Sequence, residues 1–539
     1  MRNPVRPSRT VAVLLVTIFL ALGRAAAAEA SLTPSPPLEP RLNGPLLFGV
    51  RPGSPVVYSI PATGERPMQF AAEGLPAGLA VDPATGIFSG SVAIAGSYRL
   101  VLTAANVRGT AHRALELIVG NRMALTPPMG WSSWNCWGGA VSQEKVLASA
   151  RAMVASGLQQ HGWTYINIDD GWQGRRGGPH LAILPNAKFP NIRAMADEIH
   201  RLGLRFGLYT SQWMTTYEGH IGSSADRDDG SYPWIEAGEC NEDFRLGRTV
   251  EDRDRHRWEN THVGTHSFVA ADVRQWLEWG IDYLKLDWYP NTTADAAAML
   301  HELRAGSRDV FLSLSNNAHF DQAADWARLT NAWRTTQDIV DTWERVTEIG
   351  FQQDRWSAYQ GPGHWNDPDM LVVGRVGWGP TLHPTRLTPD EQYAHMSLWC
   401  LLSAPLLLGC DLTSLDAFTL GLLTNDEVLA IDQDPLGRQA TQISNDGPHV
   451  VYAKSLADGS MAVGLFNRGE IRATVTAHWY HLPTPITGGY RVRDVWRQRD
   501  IGNFTGEYDS TIAAEVAPHG VVLLRLIPVA ATMLSSRGD

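Results

Sequence analysis

The 539-residue chain is short of cysteine, carries no excess of positive charge and has no long apolar run beyond its first two dozen residues. Its four cysteines, Cys136, Cys240, Cys400 and Cys410, allow three pairings and show no CxxC spacing. That excludes a disulfide framework and argues against a zinc site. Cys400 and Cys410 flank an apolar passage and read as small buried residues; one disulfide is allowed and none is required. The net charge of −11 argues against nucleic acid as a partner, because phosphate binding needs a basic surface. No later run reaches the ~18 apolar residues of a membrane span.

The N-terminus has the layout of a signal peptide over residues 1–28. Arg2, Arg6 and Arg9 form a basic region, an apolar run too short to span a bilayer follows, and Ala25 to Ala28 offer a small-residue cleavage site. The expected location is therefore secreted or periplasmic, with no membrane span after cleavage. The remaining length predicts about two to four domains. Trp (20) outnumbers both Tyr (14) and Phe (14). Indole faces stack on sugar rings, and they also fill large barrel cores; composition leaves both open.

Residues 29–41 are rich in Pro and Ser and read as a linker. Residues 42–120 alternate apolar and polar positions between turn signals, as in Val-Val-Tyr-Ser-Ile at 56–60 and Tyr-Arg-Leu-Val-Leu at 98–102, which predicts a β-sandwich. This stretch resembles the Ig-like module attached to secreted bacterial proteins. It carries no cluster of His, Cys or carboxylates, so it is expected to be a spacer or packing domain, with carbohydrate or cell-surface binding as the alternative. From about residue 121 to 437, apolar runs alternate with helical patterns. The runs fall at 129–134, 165–169, 205–210, 283–287, 310–314, 332–336, 364–369 and 405–410. Eight such pairs fit an α/β fold of the (β/α)8 TIM barrel kind. A doubly wound sheet would need a glycine-rich phosphate loop after the first strand, and none is there. Residues 438–528 read as a C-terminal antiparallel β-domain, and 529–539 as a disordered tail whose closing Arg537-Gly-Asp539 is a chance tripeptide.

In a barrel, the C-terminal strand ends converge on one rim, where chemistry collects. Those ends carry Trp131 and Trp134, Asp169 and Asp170, Tyr209, Lys285 and Asp287, Arg334 and Asp338, and Asp367 and Asp369. One Asp at a strand end is commonly a helix cap; several acids with a Lys, an Arg and two Trp at one rim suit a polar substrate. Glycoside hydrolysis needs two carboxylates flanking the scissile bond. Asp287 and Asp338 come from strands four and six, and strands of equal parity supply the same side-chain layers, so the two are expected to face each other across the pocket. Asp169 and Asp170 would accept sugar hydroxyls, and Trp134 would form an apolar wall. A Ca²⁺ or Mg²⁺ cluster is disfavoured, since no calcium-loop spacing occurs and the Lys and Arg would oppose a cation.

The motifs Pro128-Met-Gly-Trp-Ser-Ser-Trp-Asn135, Tyr165-Ile-Asn-Ile-Asp-Asp-Gly-Trp172, Tyr283-Leu-Lys-Leu-Asp287, Trp333-Arg-Thr-Thr-Gln-Asp-Ile339, Trp365-Asn-Asp-Pro-Asp-Met370 and Asp432-Gln-Asp-Pro-Leu-Gly437 resemble glycoside hydrolase family 27, which contains α-galactosidases and α-N-acetylgalactosaminidases. The resemblance implies a retaining exo-glycosidase acting on terminal α-galactose, with no metal or cofactor. It makes Asp287 the nucleophile and Asp338 the acid/base. It makes Asp169 and Asp170 the acids holding the 4- and 6-hydroxyls. Trp134, Tyr209, Lys285, Arg334 and Met370 become further substrate-binding residues.

Two departures stand out. The family's short loop after the Tyr209 position, with a cysteine that pairs to one just after the nucleophile, is replaced by a long charged segment over residues 211–266, and Trp288-Tyr289 follows Asp287. A long loop at this face is expected to shape the substrate site. At strand five, Ser315 and Ala318 resemble the smaller pattern of the N-acetylgalactosaminidases, which leaves room for a 2-acetamido group. The sequence does not separate galactose from N-acetylgalactosamine or from β-L-arabinopyranose, which lacks only the exocyclic carbinol. It also leaves the oligomeric state open. A carbohydrate-binding protein without catalysis is the alternative class; the presence of both candidate carboxylates favours an enzyme.

Overall fold

The computed structural model describes residues 31–287, 291–483, 489–505 and 510–529. The signal segment, the Trp288-Tyr289 pair and the terminal tripeptide lie outside the described residues.

Eight parallel strands form the centre: β1 (Met129–Ser132), β2 (Tyr165–Asn167), β3 (Arg205–Ser211), β4 (Tyr283–Asp287), β5 (Phe311–Leu314), β6 (Ala332–Arg334), β7 (Trp365–Asp367) and β8 (Leu406–Leu408). Their order is β7-β6-β5-β4-β3-β2-β1-β8, and a parallel bridge between Leu371, just past β7, and Leu408 closes the barrel. The period of two decides each face. On β4, Tyr283, Lys285 and Asp287 line the interior cavity, while Leu284 and Leu286 are fully buried on the opposite face, against the helices. Inside, packing is tight: a Cβ on Gly207 would lie 2.1 Å from Asn167 Oδ1, so only glycine fits there.

Helices separate the strands, and several begin on side-chain caps. Ser142 caps Gln143–Ala155, and Thr292 with Asp295 forms a capping box on Thr293–Ala305, each satisfying otherwise unpaired N–H groups. Val269–Trp279 stops at Gly280, whose φ of +86° is left-handed. That stop sets the chain up to enter β4.

Several strands end earlier than the apolar runs suggest. β1 stops at Ser132, and Trp134 heads the short helix Trp134–Trp137. β2 stops at Asn167 and β6 at Arg334, so Asp169, Asp170 and Asp338 stand on loops beyond the last ladder pairs. These residues turn over the rim instead of continuing the sheet.

The N-terminal module holds a four-stranded sheet in the order Leu47–Val50, Gly109–Val119, Gly96–Asn106, Gln69–Glu73. The expected strand at 56–60 is not regular. Pro55 and Pro61 bound it, and the chain there makes only isolated bridges, Pro55 to Ser91 and Ser59 to Ile87. Proline cannot donate to a ladder, although Val56, Tyr58 and Ile60 still enter the module's core. Residues read as a linker rest on other parts of the chain: the Leu32 N–H donates to Tyr393 Oη at 2.8 Å, and Arg41–Leu42 pairs with Ala62–Thr63. Arg51 fastens the module to the barrel by pairing with Asp309 and donating to the carbonyls of Arg304 and Arg308.

The C-terminal domain is a six-stranded antiparallel sheet, from Thr441–Asp446 to Val521–Val529, beside a two-stranded one. Met461–Asn467 and Val521–Val529 are central and adjacent. The four cysteines are all free thiols. Among the described residues no helix is long and apolar enough to cross a membrane.

Candidate active site

A cavity of about 450 Å³ opens at the C-terminal ends of the strands. It collects Trp134, Asp169, Asp170, Tyr209, Lys285, Asp287, Ser315, Arg334, Asp338 and Met370, each expected from the sequence. Ala318 is the exception and is not among the lining residues. Asn316 and Asn317 take left-handed backbone (φ 59° and 45°), which turns the chain back so that the Ala318 N–H donates to the Arg334 carbonyl at 2.7 Å. Asn316 reaches the site in its place, its Nδ2 donating to Asp287 Oδ1 at 2.8 Å. The Asn-Asn pair was the available signal, because Asn tolerates left-handed backbone better than most residues.

The floor is strongly charged and its side chains are largely buried. Lys285 Nζ lies 2.9 Å from Asp169 Oδ2. Burial alone would lower the Lys285 pKa, but Asp169 and Asp287 hold it above its usual value. Burial raises the Asp169 carboxyl, Lys285 opposes this and Asp287 adds to it. Asp170 is pushed up to about 7, first by burial and also by the Glu218 and Asp169 charges. The Tyr209 hydroxyl and Ser315 Oγ are buried and meet no hydrogen-bond geometry with a partner among the described residues. Such groups are costly unless something pairs with them, and a hydroxyl-rich ligand supplies what they need.

The two candidate carboxylates occupy different depths. Asp287 is 6% exposed at the end of β4. Asp338 sits at the mouth with its side chain 65% exposed. Arg334 Nη2 lies 3.1 Å from Asp338 and 2.9 Å from Asp369. Asp369 also accepts the Ile339 N–H at 2.7 Å, so it pins the residue next to Asp338. Partial burial pushes the Asp338 carboxyl up, but Arg334 and Lys285 outweigh it and hold the pKa below its usual value. Burial carries Asp369 up to about 6 against the pull of Arg334.

The segment 211–266 forms part of the wall. Tyr217, Glu218 and Arg253 line the cavity. The Glu218 N–H donates to Asp170 Oδ2 at 2.7 Å, and the Glu218 carboxylate meets Arg253 at 2.8 Å and Arg245 at 3.2 Å. Tyr217 packs edge-on against Trp134 with centroids 5.7 Å apart. The sequence shows that a long loop is present; which of its residues turn inward depends on these non-local bonds.

Comparison with known proteins extends over most of residues 39–526. The Alpha galactosidase A family model matches residues 126–231 and 252–434, the Alpha galactosidase C-terminal beta sandwich domain matches 446–526, and an Ig-domain model matches 39–120. Alpha-galactosidase 2 of Arabidopsis thaliana is 34% identical over 71% of this chain and 85% of its own. A solved structure from Bacteroides fragilis aligns over 90% of this chain and 97% of its own at 30% identity and a TM-score of 0.76. A GH27 β-L-arabinopyranosidase of Geobacillus stearothermophilus aligns over 76% and 97% at 28% identity and a TM-score of 0.61.

Proposed function

The chain belongs to the α-galactosidase family, glycoside hydrolase family 27, and on that premise we propose that it is an exported retaining exo-α-galactosidase. The observation that carries this reading is the pairing of a buried Asp287 with a mouth-exposed Asp338 in one cavity. A nucleophile belongs at depth, where Lys285 and Asn316 orient and stabilise its charge. An acid/base belongs at the mouth, where the leaving group departs and water enters.

In the first step Asp287 attacks the anomeric carbon while Asp338 protonates the departing glycosidic oxygen. The sugar is then held as an ester on Asp287. In the second step Asp338 takes a proton from water, the water oxygen bonds to the anomeric carbon, and the Asp287 carboxylate leaves. Two inversions give net retention. Asp169, Asp170, Tyr209 and Arg334 supply donors and acceptors to the ring hydroxyls. The Asp169-Asp170 pair supports a sugar with both a 4-hydroxyl and an exocyclic 6-hydroxyl, and therefore galactose ahead of β-L-arabinopyranose. Export rests on the basic, apolar and small-residue layout of the first 28 residues.

Three 4-nitrophenyl glycosides test the sugar: α-D-galactopyranoside, its 2-acetamido analogue and β-L-arabinopyranoside. The galactoside is expected to turn over fastest, and NMR of the first product should show α-galactose before mutarotation. First-formed β-galactose would overturn retention, and faster turnover of either other glycoside would overturn the sugar. Since Arg334 lowers the Asp338 pKa, the proton needed for leaving-group departure is lost at low pH, and kcat/KM should decline above an acidic optimum.

A further inference from the structure

We propose that a second cavity, between the Ig-like module and the barrel, binds a small hydroxylated carboxylate of the sugar-acid kind. It shares no lining residue with the catalytic cavity. Arg41, Asn43 and Arg113 reach it from the module, and His161, Asp426 and Gln433 from the barrel side. His161 closes the turn Leu158–His161 just ahead of β2, so this cavity lies at the N-terminal ends of the strands, opposite the catalytic rim. Its volume is about 210 Å³. Sites for drug-sized ligands run from roughly 300 to 1,000 Å³, so its ligand is small.

The lining calls for an anion and a hydrogen-bond donor together. Arg113 Nη1 donates to the Leu42 carbonyl at 2.9 Å. The rest of that guanidinium, and all of the Arg41 guanidinium, meet no hydrogen-bond or ion-pair partner among the described residues. Burial lowers the Arg113 pKa, Tyr58 and Asp426 oppose this, and the Arg41 charge adds to it. The two guanidiniums therefore repel each other. The carboxylate in the lining, Asp426, is taken by His161 Nδ1 at 2.7 Å. An incoming carboxylate relieves the repulsion, because guanidinium and carboxylate bond in matching planar pairs. Asn43 makes the second demand. It is 5% exposed, and its Nδ2 is committed to the Gln160 carbonyl at 3.1 Å and to Thr63 Oγ1 at 3.2 Å. That orientation leaves its Oδ1 buried without a hydrogen-bond partner among the described residues, a cost that a ligand hydroxyl removes.

Calorimetric titration of the whole protein with D-galacturonate tests the site, with galactose, acetate and inorganic phosphate as comparison probes. Galacturonate should fill one site that neutral galactose does not. Arg41→Gln should weaken it about tenfold or more, the size of one charge-assisted contact. Turnover of 4-nitrophenyl α-D-galactopyranoside by that variant should stay within about twofold, since the two cavities share no residue. Asn43→Ala should weaken galacturonate about fivefold and leave acetate, which has no hydroxyl, unchanged. Because the ligand bridges module and barrel, galacturonate should raise the melting temperature of the wild type and not that of Arg41→Gln. Melting curves without ligand separate misfolding of either variant from lost binding. No galacturonate binding by the wild type, or equal binding by Arg41→Gln, would overturn the site. An equal loss of acetate and galacturonate in Asn43→Ala would overturn the hydroxyl contact, and tighter binding of phosphate than of galacturonate would overturn the carboxylate.

Discussion

Asp282 and Asp287 stand at opposite ends of one strand, each in its own cluster of charged neighbours. Asp282 precedes β4 at the N-terminal end of the barrel. It meets His200 Nε2 at 2.7 Å and Arg308 Nη2 at 2.9 Å, and it accepts the Phe206 N–H at 2.9 Å. Burial pushes its pKa up, yet these partners together bring it below the usual carboxylate value. At the other end Asp169, Asp170, Asp367 and Asp369 are all raised, burial being the largest cause in each. The N-terminal end thus gains stability from its charges. The catalytic end holds charges that the fold alone satisfies poorly, and that a bound sugar would complete.

The sharpest way to break this contrast is to neutralise one residue at each end. Asp287→Asn should lower turnover by on the order of 10⁴-fold or more, as expected for loss of a nucleophile, with little change in melting temperature. A melting temperature that collapses would show Asp287 to be structural. Asp282→Ala should do the reverse, costing about 2–4 kcal/mol in denaturant unfolding by leaving Arg308 and His200 without their carboxylate. Its kcat should stay near wild type while folded.

Titration sharpens the comparison, because Asp282 and Asp170 are shifted in opposite directions. The folded pKa of Asp282 is depressed, so its stabilisation is present above the unfolded value of ~4 and is lost as pH falls through the folded value. The gap in melting temperature between wild type and Asp282→Ala should therefore narrow in acid. Asp170 is raised to about 7. Its contribution is full below ~4 and is lost as pH rises through about 7. Over that window Asp170→Asn should melt with a flatter pH dependence than wild type, and an unchanged slope would refute the assignment. The smallest effect belongs to the docked module. Arg51→Ala removes the pair with Asp309 and the carbonyl contacts, and should cost about 1–2 kcal/mol with kcat/KM unaffected.

Much of the barrel is legible in the order of the residues. All eight strands fall within or beside their apolar runs, because a buried parallel strand must be apolar on its outer face whatever surrounds it. β4 shows how far this goes. Its alternation of Tyr283, Lys285 and Asp287 with two leucines already assigns the polar residues to one face. The 56–60 stretch shows the limit: the alternation and burial are real, but flanking prolines deny it a ladder.

The loops were less legible. Ser315 and Ala318 fit one residue pattern, yet two left-handed asparagines carry Ala318 off the cavity lining and bring Asn316 to Asp287. Tyr217 and Glu218 gave no local sign of facing the cavity. Their placement depends on Asp170, Arg253, Arg257 and Trp134, which are distant in sequence or lie across the loop.

The sequence by itself therefore determined the barrel, the order of its strands and the carboxylates Asp287 and Asp338 as candidates, since period and motif are properties of short stretches. Only the tertiary structure decided that Asp287 lies deep and Asp338 at the mouth, that Asn316 and not Ala318 attends the first, and that residues of segment 211–266 wall the cavity. Depth, charge environment and loop direction arise from contacts between residues far apart in the chain, and no local pattern encodes them.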